Sequence, residues 1–291
     1  MIDRRSVLRG ASGLGLAASA RGATAAQAAP QSGAAQGTTT PAPTLAPTPA
    51  PPPAGRAALP ARLRRVDLRI RFMTTRDGRT FERGRETVSY DFHEDGLIAY
   101  HVSSHSDDPR IARDALYTLG PDWRPREAFV RLQVDGRYEG SGWFRFEPGQ
   151  VGSETFNAVQ GRRSNVTRID TPVRAFVAHP VSTDVMLAAA YEHGGPKRQR
   201  LPGSYTSSSD PYGRVGPTLK ASATWLEYAG REALSTPAGT MEADRYELFT
   251  GADAQAPLES LWTLPGTSLF LRAQARGIYS TVYELVEFRA A

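Results

Sequence analysis

Beyond residue 63 the chain alternates apolar and polar residues in long runs. Val66, Leu68 and Ile70 alternate with Asp67, Arg69 and Arg71, the period of a strand with one wet face. The next two strands predict their own register. Val88, Tyr90 and Phe92 share one face, and Ile98, Tyr100 and Val102 share a face of the strand that follows. A three-residue loop, Glu94-Asp95-Gly96, sets Phe92 opposite Ile98, Tyr90 opposite Tyr100 and Val88 opposite Val102, with Gly96 in the left-handed position. A two-residue loop would put Tyr90 opposite His101 and mix the faces, so the pattern selects the longer one. A second hairpin runs through Val130, Leu132 and Val134, turns at Asp135-Gly136-Arg137 and returns through Tyr138, Gly140, Gly142, Phe144 and Phe146. Gly140 and Gly142 weaken that strand, and they let another backbone or a ligand approach it.

Strand patterns recur at 150–158, 164–170, 219–228, 242–250, 258–264, 268–276 and 278–288, with a turn at Pro265-Gly266-Thr267. One segment reads as helix: Ser182-Thr183-Asp184 offers an N-cap before the apolar run Val185–Ala190. The balance predicts a mainly β fold, a long curved antiparallel meander. The short helix is expected to be buried against the sheet or to plug its open end.

The first 62 residues lack this rhythm. Asp3-Arg4-Arg5-Ser6-Val7-Leu8-Arg9, a weakly apolar stretch and the small residues of Ala26-Gln27-Ala28 resemble a twin-arginine export signal over residues 1–28. Val7 stands where such signals usually carry Phe, and Arg21 interrupts the apolar stretch, so the general secretory route stays open. Residues 29–62 are rich in Ala, Pro and Thr, and eight of the 22 prolines fall between Pro30 and Pro53. Pro fixes φ and lacks an N–H, so this stretch is expected to be a disordered, extended linker, and a route to a partner protein. Residues 63–291 are then a single β-rich domain in the bacterial periplasm or beyond.

Composition removes several functions. The absence of Cys excludes disulfides, Cys-ligated zinc and thiol nucleophiles. The net charge is +5, from 33 Arg and two Lys against 30 acids, and loss of residues 1–28 leaves +2. Arg residues are scattered among acids, as in Arg83-Gly84-Arg85-Glu86, so no nucleic acid is expected as a partner. No apolar run is long enough to span a membrane as a helix. Phosphate-binding, dinucleotide, nucleophile-elbow and zinc-protease motifs are missing, and neither a metal nor another cofactor is expected.

Candidate chemistry is sparse. His101 and His105 are four apart on a strand, about 13 Å, which is too far to share a metal. His179 is more suggestive. The apolar strand 175–178 ends at His179-Pro180, where Pro stops the pairing, and Asp184 follows near the helix start. His179 and Asp184, with Tyr191 at the far end of the helix, form the expected acid–base group; alternatively Asp184 caps the helix and His179 bonds backbone. Ligand-contacting residues for the hollow and its rim are Tyr90, Tyr100, Trp143, Arg174, Tyr212, Trp225 and Tyr246. The Gly/Pro/Ser-rich stretch 193–217 is long for a structureless loop and reads as a lid or as disorder.

The C-terminal third carries Trp225-Leu226-Glu227-Tyr228, Gly230-Arg231-Glu232, Thr236-Pro237-Ala238-Gly239-Thr240, Ala243-Asp244-Arg245-Tyr246, Leu261-Trp262 and Tyr283-Glu284-Leu285. This pattern resembles a family of bacterial exported proteins of unknown function. The resemblance implies a lipoprotein-carrier-like half-barrel or a lipocalin-like barrel, and it brings no catalytic residues. The function expected is binding of a lipophilic, aromatic or amphipathic small molecule in the hollow. The alternatives are a lyase or isomerase working without metal or nucleotide in that hollow, and a structural envelope protein.

Overall fold

The structure, a computed structural model, describes residues 64–276 and 280–291. The expected export signal, linker and domain start lie outside these residues. Eight strands come first: β1 (Arg65–Arg76), β2 (Arg79–Phe92), β3 (Ile98–Asp107), β4 (Arg110–Leu119), β5 (Pro125–Val134), β6 (Arg137–Glu147), β7 (Gln150–Asn157) and β8 (Gly161–Arg168). A crossover follows, made of β9 (Ala175–Val177), a 3-10 turn (Val181–Asp184), α1 (Val185–Ala190), β10 (Arg198–Arg200), β11 (Ser204–Thr206) and β12 (Lys220–Ala221). The chain ends with β13 (Trp225–Thr236), β14 (Gly239–Phe249), β15 (Glu259–Thr263), β16 (Phe270–Arg276) and β17 (Ser280–Ala290).

Fourteen strands form one antiparallel sheet in the order β10-β13-β14-β15-β16-β17-β1-β2-β3-β4-β5-β6-β7-β8. The last strand pairs with the first, Val66 opposite Ala290 and Phe72 opposite Tyr283, so both ends of the domain lie mid-sheet. The outer strands β10 and β8 do not meet, and the fold is a mainly β, open half-barrel. A small second sheet, β12-β11-β9, sits in the crossover, with β9 parallel to β11.

Alternation explains the packing. Val66, Leu68, Ile70, Val88, Tyr90, Tyr100 and Val102 all lie within 3% of full burial and share one core with Met186 and Leu187 of α1. The helix is thus buried against the inner face of the sheet. The hairpin register is as the pattern predicts: Val88 opposite Val102, Tyr90 opposite Tyr100, Phe92 opposite Ile98, with Gly96 at φ +83°. Tyr90, Tyr100 and Tyr117 stack across three strands at 4.6 and 5.3 Å between ring centroids. Such pairs contribute about 0.5–1.5 kcal/mol each beyond burial.

Three details differ from expectation. The strand expected at 219–228 breaks into β12 and β13, and β13 runs on to Thr236 past a register shift between Tyr228 and Gly230. The strand expected at 164–170 starts earlier, at Gly161. Asp184 makes no side-chain cap to α1; Thr183 Oγ1 instead bonds the Pro180 carbonyl at 2.7 Å.

Candidate functional site

Most of the inner face is filled by the aromatic ladder, α1 and Phe176 of β9. A cavity of about 130 Å³ lies where β1–β4 and β17 meet the crossover. Its apolar wall includes Phe72, Ile111 and Val181; its polar wall includes Arg83, Glu86, Ser104, Arg113, His179 and Tyr283. Strand phase places the polar groups. Glu86 precedes Val88 and Tyr90 on the inward phase of β2, Ser104 follows Tyr100 and Val102 on β3, and Arg113 sits between Ile111 and Ala115 on β4. Arg83 arrives by a β-bulge: Phe72 pairs with Gly84 and Met73 with Glu82, leaving Arg83 without an opposite residue. A bulge re-aims the extra side chain, here inward.

Burial governs the electrostatics. Glu86 is 1% exposed, and desolvation raises its pKa against opposing hydrogen bonds from the 181–182 segment. The amides of Val181 and Ser182 donate to its two oxygens at 2.7 and 3.2 Å. Arg113 is 8% exposed, and desolvation brings it down to about 10. His179 is brought down to about 3 by burial and by the Arg113 charge, so its imidazole is neutral at physiological pH. Burial also pushes Tyr283 up to about 12.

The turn Pro211-Tyr212-Gly213 covers the cavity. Arg113 Nη2 donates to the Tyr212 carbonyl at 2.5 Å. Gly213 has φ +70°, and a Cβ there would collide with Arg113 Nη2 and lie 2.7 Å from His179 Cγ. Only a glycine lets the backbone lie on both groups. Asp210 ties the turn by bonding the Arg214 amide at 2.8 Å and its guanidinium at 3.2 Å.

The sequence-predicted residues scatter. His179 lines the cavity, at φ +72°, and its Nε2 shares a hydrogen bond with Thr206 Oγ1 at 2.9 Å. Asp184 is not on that wall; it is buried next to Glu259, close enough for the two carboxyls to share a proton. Burial and then the Glu86 charge push Asp184 up, while burial and then the Asp184 charge push Glu259 up. Tyr191 belongs to a second aromatic cluster with His193, Tyr228 and Tyr246, and its hydroxyl donates to the Lys197 carbonyl at 2.8 Å. The expected group of His179, Asp184 and Tyr191 is therefore split between three places.

Among the expected ligand contacts, Tyr212 lines the cavity. Tyr90 and Tyr100 are packed solid in the core, the latter donating to Ser182 Oγ at 2.9 Å. Tyr246 lies in the second aromatic cluster, within 3.3 Å of His193 Nε2. Arg174 pairs with Glu192 at 2.6 Å, and Trp225 sits near one end of the sheet between Arg200 and Phe249. Trp143 is 42% exposed on the opposite face, where it lines a separate groove of about 210 Å³ with Phe129 and Phe156. It points outward because its neighbours Gly142 and Phe144 hold the inward phase. Gly140 does admit another backbone: a Cβ there would lie 2.8 Å from the Gly216 carbonyl of the crossover. His101 and His105 are both exposed, His101 opposite Ser89 as the register requires.

Arg83, Glu86, Ser104, Arg113 and Tyr283 were not legible as site residues from motifs. The usable signal was a charge on an apolar phase, at Glu86 and at Arg113. Arg83 offered no such signal, because its direction depends on the bulge.

No protein-family model and no curated protein matches the chain. Three similar solved structures are bacterial. One is a β-barrel-like protein of a domain of unknown function, DUF1849, from Brucella abortus, 12% identical over 79% of this chain and 99% of that one, at a TM-score of 0.48. Another, assigned as exported and with a YmcC-like fold, is from Bacteroides fragilis, 9% identical over 77% and 95% of the two chains, at 0.25. A third, assigned as an outer membrane lipoprotein-sorting protein domain, is from Vibrio parahaemolyticus, 10% identical over 78% and 85%, at 0.20. Function has to be read from this chain's own side chains.

Proposed function

We propose that this chain is an extracytoplasmic binding protein that holds a small amphipathic molecule in the cavity beneath the Pro211–Gly213 turn. The carrying observation is the cavity itself: about 130 Å³, walled on one side by Phe72, Ile111 and Val181 and on the other by Glu86, Ser104 and Arg113. Ligand sites combine apolar walls with a few convergent polar groups in this way. Pro211 and Tyr212 are exposed, which supports entry beneath that turn. The filled interior elsewhere favours a small ligand over a long lipophilic one. The signal-like N-terminus, Arg4-Arg5 with Ala26-Gln27-Ala28, supports an extracytoplasmic location. Acid–base catalysis by His179, Asp184 and Tyr191 gains no support, since the three side chains do not converge.

Native mass spectrometry of the chain isolated from the periplasm of its own host tests this reading. The expected spectrum shows a retained small molecule that is released on unfolding. A spectrum of bare protein, from gentle isolation at neutral pH, would argue against it.

A further inference from the structure

Two guanidinium groups face the same small cavity, and neither has an acid in direct contact with it among the described residues. Arg83 is held by neutral acceptors: Thr74 Oγ1, Ser106 Oγ and the Asp108 carbonyl, each at 3.0 Å, and the Tyr283 hydroxyl at 3.4 Å. Arg113 donates to the Tyr212 carbonyl and to no other group among the described residues. Neither arginine forms an ion pair among the described residues, although many other arginines of the sheet do. The carboxylate on the wall, Glu86, is committed to the Val181 and Ser182 amides. Glu86, and more weakly Asp210, act on Arg113 from beyond contact distance, and Asp210 is itself bonded to Arg214.

A buried charge with no counter-charge in contact is costly, and a fold that keeps one, as at Arg113, gains when such a counter-charge arrives. A guanidinium presents a planar fork of donors that matches carboxylate and phosphoryl oxygens. We propose that this cavity binds an oxyanion, a carboxylate or phosphoryl group, through Arg83 and Arg113. Tyr283 is a further donor on the same wall, and Phe72 and Ile111 face the apolar part of the molecule. At on the order of 30 Å³ per water, the space suits a group of a few heavy atoms. This assignment rests on the small-molecule reading above and narrows the ligand class.

Calorimetric titration of the full chain with butyrate, with inorganic phosphate and with butyramide, the uncharged counterpart of butyrate, tests it. Saturable binding of butyrate or phosphate is expected, weakened at least about thirtyfold by Arg113→Gln, with butyramide not bound. Vesicles of phosphatidylglycerol, compared with vesicles of phosphatidylcholine, form a second arm. Sedimentation with the anionic vesicles alone, abolished by Arg113→Gln, places the oxyanion on a lipid headgroup and supports the assignment too. Equal binding of butyramide, or anion binding untouched by Arg113→Gln, overturns the oxyanion assignment and leaves the small-molecule reading standing. Failure of every probe also overturns it, while a molecule retained in native mass spectrometry would still uphold the broader reading. If circular dichroism shows Arg113→Gln misfolded, Arg83→Gln takes its place, with the same expected loss.

Discussion

At φ +70° Gly213 lies against the Arg113 guanidinium and the His179 ring, so its missing side chain is what closes the cavity. A Cβ there meets two obstacles. The left-handed conformation itself costs on the order of 1–2 kcal/mol for a non-glycine residue. The methyl would also push the turn off Arg113, breaking its bond to the Tyr212 carbonyl. Gly213→Ala is therefore expected to lower stability by at least about 1 kcal/mol in urea denaturation, and to abolish ligand retention as well. Unchanged stability with full retention would mean that the turn does not need this close approach. His179, also left-handed at φ +72°, stores strain of a similar order, and strain of this kind clusters at ligand sites.

Between elements, a contact sensitive to pH is the Asp184–Glu259 pair, which joins the start of α1 to β15. Both acids have raised pKa values in the folded protein. The folded state thus binds more protons than the unfolded chain above about pH 4, and stability falls as pH rises through that window. His179 acts in the opposite sense. Its lowered pKa makes the unfolded chain bind more protons below about pH 6.5, so its contribution is lost as pH falls. Asp184→Asn keeps a donor for Glu259, needs no shared proton and removes no cap, since Asp184 makes none. The variant is expected to melt higher than wild type at pH 8, with the gap narrowing at pH 5; His179 is common to both proteins and cancels. A variant that melts lower than wild type at pH 8 would contradict the shared-proton account. The hairpins were legible because a strand's period and its turn residues are local: Tyr90 meets Tyr100 through alternation and Gly96 alone. The Asp184–Glu259 contact was not, because it spans the crossover and joins residues that no local pattern links. The same holds for Tyr283, which reaches the cavity through the pairing of the last strand with the first.

For the whole domain, strand order decides where a ligand can sit. The β1–β8 run and the β13–β17 run join through β1 and β17, and the crossover between them falls on the inner face. A mainly β meander was therefore readable from alternation, and the half-barrel with its hollow followed from the resemblance of the C-terminal third. The size of the hollow was not readable, because Met186, Leu187 and Phe176 come from the crossover and fill most of it. What remains is a small space with one polar and one apolar wall, in place of a large apolar one. The outer groove around Trp143 is the competing location for a bound molecule. A crystal structure of the chain purified from its own periplasm separates the two most directly. Density for a small molecule is predicted between Arg83, Arg113 and Tyr283, beneath Gly213; a cavity holding only water, with the molecule lying against Trp143 and Phe156, would contradict the account.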